Sequence, residues 1–157
     1  MISQGISHTA YDVMREYMII GAELDGKYQI PMLDRYTGHP GEDTVDFKDS
    51  FSPKIKNHRK LTVNFYIHDY EFEKIWNNPD RYLEHLKCFH SVIGPDFSMA
   101  VGENGMPFAM NIYQKYRNHA LSHYLSMNGI KVIPNVSIPP EYCYDWAFDG
   151  VPKRSTV

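Results

Sequence analysis

At 157 residues, with 43% hydrophobic and 22% charged residues, the chain is long enough for one domain with its own core and too apolar for a disordered tail. A net charge of −3 offers no clustered Lys and Arg for a phosphate backbone, so nucleic acid is not favoured as a partner, and it is far too small for an acidic mimic. Cys88 and Cys143 stand alone with no CxxC spacing, which excludes a disulfide framework or four-thiolate zinc site. No apolar stretch approaches the roughly 18 residues of a bilayer span, and Met1-Ile2-Ser3-Gln4 has no basic leader, so no membrane role and a reducing cytoplasm are expected. Aromatic residues make up 14%, with Tyr at 12, and an apolar ring carrying a polar tip suits a half-wet binding face.

In chain order, Ala10, Val13, Met14, Tyr17 and Met18 fall at helical spacing and predict an amphipathic helix over about 9–20, closed by Gly21. Tyr28 to Leu33 is a short strand candidate. Residues 37–59 turn polar, carry Gly38, Pro40, Gly41 and Pro53 among acids, and read as a long loop, either a partner-binding segment or a plain connector. Leu61 to Ile67 is a β-branched and aromatic strand that leads into a short helix at 71–76. Asn78-Pro79 then opens a crossover helix to about Phe89, burying Tyr82, Leu83 and Leu86. Ser91 to Ile93 is the next strand, and Met106-Pro107 starts the longest helix, to about Met127. Its apolar stripe is Ala109, Ile112, Tyr113, Tyr116, Ala120, Tyr124 and Met127. Ile130 to Ile133 pairs next, a helix runs from Pro139-Pro140 to Phe148, and Arg154 to Val157 begins a last strand. Strands alternating with helices predict an α/β domain with parallel strands and crossover helices, resembling a partial (β/α) barrel; a doubly wound sheet is the alternative, and strand order decides between them.

Several blocks carry a resemblance: His68-Asp69-Tyr70 through Asn78-Pro79, Pro95-Asp96-Phe97-Ser98, Met106-Pro107, Asn111-Ile112-Tyr113 with Tyr116-Arg117-Asn118, and Asn128-Gly129-Ile130 through Asn135-Val136. In these, from about Tyr28 to the C-terminus, the chain resembles the domain of unknown function 4417 family of bacteria, their phages and other mobile elements. The resemblance implies a setting and no activity. Members normally continue beyond the strand near Lys153, which implies a member shortened at its C-terminus.

Asp69, Asp96, Asn135 and Asp149 each follow an apolar run, so parallel strands would gather all four at the C-terminal rim, where α/β folds bind ligands. Asp69, Asp96 and His68 are the candidate ligands of a divalent cation, or the acid and base of a hydrolytic site. Asp69 equally suits a helix N-cap, and Asp96 a turn with Ser98. Candidate binding residues are His68, Tyr70, Ser98, Arg117 and Lys153. His119 and His123 share one helix side, and the plain reading places them in solvent beside the Tyr stripe. No GxSxG, P-loop or GxGxxG before a helix is present, so nucleophilic and nucleotide-binding chemistries lack support.

Two functions of different class remain. The first is a non-catalytic accessory protein of a phage or mobile element that binds a host or element protein, or modulates host defence. The second is a small metal-dependent phosphoester hydrolase at the rim. An open sheet edge at 154–157 and an uncovered apolar face with Val63, Phe65 and Val132 also predict a homodimer, or a partner that completes the sheet.

Overall fold

The computed structural model describes residues 15–137 and 140–157. Residues 9–14 of the expected first helix, Ile138, and Pro139 at the start of the expected last helix lie outside the described residues. Of the first helix, Glu16–Ile19 is a 3₁₀ turn that buries Tyr17 and Met18.

The chain first makes a small antiparallel hairpin, β1 (Leu24–Asp25) and β2 (Ile30–Pro31). Four parallel strands follow, β3 (Asp43–Asp46), β4 (Leu61–Asn64), β5 (Ser91–Ile93) and β6 (Val132–Ile133), adjacent in chain order. Helices α1 (Asp69–Asn77) and α2 (Asp80–Leu86) cross between β4 and β5, α3 (Phe108–Met127) crosses between β5 and β6, and the short α4 (Tyr144–Ala147) comes last. With no reversal of strand order there is no switch point, so the domain is α/β with crossover helices and resembles an arc of a (β/α) barrel that does not close.

Register explains the core. Val45, Val63, Val92 and Val132 are cross-strand partners in one row, and they pack in one cluster with Phe72, Ile75, Leu86, Leu121 and Leu125 from the helices. The opposite face carries Thr62 and Ser91, which are fully buried and hydrogen-bond to each other at 2.8 Å.

Three expectations change. Residues 37–59 are not a loop, because β3 lies within them together with 3₁₀ turns at Asp49–Phe51 and His58–Lys60. An edge strand needs only one core residue, here Val45, and exposes Asp43 and Thr44, so it presents no apolar run. The stretch 28–33 stays outside the parallel sheet, since Gly26 and Gln29 at φ +67° and +55° turn it back on β1. Arg154 to Val157 form no strand: Arg154 has φ +58°, and Tyr36 holds the segment through one backbone bond from Thr156 and its tie to Ser155. The grounds for a homodimer go with it, because no strand edge stands at 154–157 and Val63, Phe65 and Val132 are buried within the chain.

The predicted stripe of α3 holds in its C-terminal half, where Ala120 and Tyr124 enter the core and Tyr116 and Met127 pack against it, and fails in its N-terminal half. Tyr113 is 39% exposed and Ala109 is exposed, whereas Asn111, Gln114, Lys115, Arg117, Asn118, His119 and His123 are buried. The polar face turns inward because it supplies partners to loop backbone. Asn111 bonds the N–H and C=O of Ala100, Asn118 does the same for Phe97, Lys115 donates to the Ala147 carbonyl, and His119 meets the Pro31 carbonyl. His123 likewise meets the carbonyl of Ile20 at 3.2 Å. A buried loop needs such partners, and α3 supplies them to the segments around Ile20, Pro31, Phe97, Ala100 and Ala147.

Candidate functional site

Because the sheet is parallel, the residues after β4, β5 and β6 share one rim. Strand β4 stops where the Asn64 side chain accepts a hydrogen bond from the Tyr66 N–H at 3.0 Å, turning Tyr66 outward to 58% exposure. Helix α1 begins at Asp69, with His68 in the cap position and its N–H donating to the Glu71 carboxylate. Asp69 is therefore not the cap. Its carboxylate reaches across to the next loop, accepting the Ser98 N–H on both oxygens at 3.1 Å and the Ser98 hydroxyl at 2.8 Å, with Gln114 Nε2 at 3.5 Å.

Asp96 lies beside this latch. Asn135 Nδ2 donates to it at 3.0 Å, and the Tyr66 hydroxyl approaches Asn135 Oδ1 at 3.4 Å. Burial pushes the Asp96 carboxyl above the usual carboxylate range and the neighbouring Asp69 charge adds to this, while hydrogen bonds from Asn135 and Ser137 pull the other way. Burial and the Asp96 charge likewise raise the Tyr66 phenol. The rim thus unites Asp69, Asp96, Asn135 and Ser98.

Asp149 does not join them. It follows α4 and not a strand, and sits against Gly26 on the far side of Lys115, where burial and the charge of Asp25 raise its carboxyl. Arg117 reaches the rim only at second hand. It is buried, stacks on Phe97 at 3.6 Å, donates to Glu73 at 2.5 Å and holds Gln114 at 3.0 Å, which in turn touches Asp69. His68 stacks on Tyr70, which is 78% exposed, and Lys153 stands exposed in the C-terminal turn, away from these bonds. Among the described residues no group of three or more His, Cys, Asp or Glu could hold a metal ion.

Next to Asn135 a cavity of about 230 Å³ opens between α3 and the segment after β6. Met99, Val101, Val136, Trp146 and Ala147 give it an apolar body, and Lys115, His119, Asn135 and Ser137 give it polar points. Lys115 donates to Ala147 O at 2.9 Å and to His119 Nε2 at 3.2 Å, so His119 is neutral and carries its proton on Nδ1, toward Pro31 O at 2.8 Å. Burial lowers the Lys115 amine to about 8, against the pull of Asp149 and Asp25, and lowers His119 to about 3, with the Lys115 charge adding to the effect. Sequence reasoning missed this pair, although their spacing of four puts them on one side of α3, and it wrongly set His119 and His123 in solvent.

A shallower depression, lined by Phe108, Tyr142 and Asp145 among others, shares Val101 and Trp146 with the cavity. Of its lining residues, Phe108 and Tyr142 are 50% and 68% exposed.

No helix among the described residues is long and apolar enough to cross a membrane. No solved structure matches the chain. Among curated proteins it is similar to the Gene 1 protein of Mycobacterium phage L5, 35% identical over 95 residues, which is 60% of this chain and 40% of that protein. It is also similar to the Gene 1 protein of Mycobacterium phage D29, 32% identical over 95 residues, 60% of this chain and 34% of that one. The matched segment therefore spans less than half the length of either relative. The family model Domain of unknown function (DUF4417) matches residues 22–157, and the chain belongs to that family.

Proposed function

We propose that the chain is a protein-binding module of a phage or mobile element, and that its host or element partner inserts an apolar side chain into the cavity beside Trp146. The observation that carries this reading is that the cavity shares Val101 and Trp146 with a depression lined by the exposed rings of Phe108 and Tyr142. Interface hot spots combine a pocket that takes an anchor residue with surrounding aromatics that exclude water, and exposed rings cluster here beyond what a lone surface residue requires. A photo-crosslinking amino acid at Tyr142 tests it. One discrete adduct is expected in host or phage extract, and it disappears when Val101→Trp fills the cavity mouth while circular dichroism shows the variant folded; an adduct unchanged by Val101→Trp, or none at all, refutes the reading.

A cation-dependent phosphoester hydrolase is the second reading, favoured by the proximity of Asp69 and Asp96, whose repulsion a cation would relieve. It requires Asp69 to let go of Ser98. Mg²⁺ or Mn²⁺ should then raise the melting temperature, an effect absent from Asp96→Asn; no shift with either ion in the wild type removes the reading.

A further inference from the structure

The opposite end of the sheet has a different character. The residues that enter β4, β5 and β6 meet there, because parallel strands gather their N-terminal ends as surely as their C-terminal ones. These entries carry His58, Arg59 and Lys60 before β4, Lys87 and His90 before β5, and Lys131 before β6. Backbone hydrogen bonds tie them side by side: the His90 N–H donates to His58 O and Leu61 O, and the Val92 N–H to Lys131 O. The result is a cleft of about 160 Å³ lined by Arg59, Lys87, His90, Ser91 and Lys131. Arg59 also lines an adjoining depression with His58, Lys60 and Cys88.

Ion pairing among the described residues compensates only part of this charge. Lys60 pairs with Glu42 at 2.9 Å and Lys87 with Glu84 at 2.7 Å, but Arg59 and Lys131 have no carboxylate within ion-pair distance among the described residues. His90 engages Ser91 through Nδ1 at 3.2 Å, and no partner is found among the described residues for its Nε2. A guanidinium, an ammonium and an imidazole on three separate loops thus converge on one concavity, while the chain as a whole carries a charge of −3. Such a grouping cannot be read from composition, which is why the overall charge argued against phosphate ligands.

We infer that this cleft binds a phosphate group, with Arg59 and Lys131 as its principal contacts and His90 as a third donor. The guanidinium fork suits two oxygens of a phosphate at once, and a lysine complements it as a point charge. A space of about 160 Å³ equals roughly five water molecules, enough for a phosphate and part of the group it esterifies. A mononucleotide and a nucleic-acid backbone offer the same chemistry, and the test separates them.

The measurement is equilibrium binding of the full chain at low salt to AMP, to a fluorescein-labelled single-stranded oligonucleotide, and to a poly-glutamate peptide of equal charge. Binding of AMP or of the oligonucleotide is expected, weakened about tenfold or more by Arg59→Ala and again by Lys131→Ala, with Lys27→Ala as a distant control without effect. AMP binding identifies a nucleotide as the source. Oligonucleotide binding without AMP, with a salt slope that falls by about 0.7 for each cation removed, identifies a backbone. Circular dichroism of each variant establishes that it is folded. No binding of either phosphate probe, equal binding of poly-glutamate, or binding indifferent to Arg59 and Lys131 overturns the inference.

Discussion

Replacing Lys115 by Met tests whether a charged amine really sits in the interior beside the cavity. Folding lowers the proton affinity of this amine from 10.5 to about 8, mainly through burial, which corresponds to on the order of 3 kcal/mol at about 1.4 kcal/mol per decade. Between those two values the unfolded chain holds a proton that the folded chain has released. Stability therefore rises with pH from about 8 and levels off near 10.5, and the charged amine weakens the fold at neutral pH. Methionine has a similar shape and removes this cost, but it leaves the Ala147 carbonyl and His119 Nε2 without a donor, which costs about 1–3 kcal/mol. The two terms nearly offset near pH 7, so Lys115→Met should lie within about 2 kcal/mol of wild type there. By about pH 10 the wild type has gained some 2–3 kcal/mol that the variant cannot gain. Urea denaturation of both proteins across this range reads the difference directly. A stability difference that stays flat from about pH 7 to about pH 10 would refute the reasoning, and with it the buried position of the amine.

Other outcomes follow from the same geometry. Wild type should lose stability as pH falls below about 6.5, where the unfolded chain binds a proton that folded His119 refuses until about 3, and His119→Gln should flatten this acid limb of a denaturation series. Gly41→Ala should cost on the order of 1–3 kcal/mol by thermal denaturation, because its methyl group would lie 2.3 Å from the Lys60 carbonyl oxygen, a backbone atom at the β3–β4 junction that cannot rotate away. Arg117→Lys keeps the charge but loses the flat contact with Phe97 and the two-sided hold on Glu73 and Gln114, so its melting midpoint in urea should fall by the equivalent of about 1–2 kcal/mol. Leu121→Ala, fully buried in the core, should cost about 2–5 kcal/mol in the same assay.

The sequence by itself determined the elements that have a strong apolar period or clear punctuation. Ser91–Ile93 stands where the apolar run placed it, α3 begins after Pro107 and ends at Met127 before Asn128-Gly129, and α2 follows Asn78-Pro79 within a residue. The parallel order of the strands and the meeting of Asp69, Asp96 and Asn135 at one rim followed from that alternation, since a parallel sheet collects whatever follows its strands. Only the tertiary structure decided the rest. Edge strand β3 owes its existence to β4, because Asp43 to Asp46 have one core side chain and find their hydrogen-bond partners across the sheet. Burial of the polar face of α3 depends on loops that lie far away in sequence: Lys115 is 32 residues from Ala147, and His119 is 88 residues from Pro31. The same holds for Arg59, His90 and Lys131, ordinary surface charges in the sequence that share a cleft only because three strands begin side by side. Periodicity reports which face of an element is apolar; it carries no information about which distant backbone groups need a partner, and those needs placed the polar side chains here.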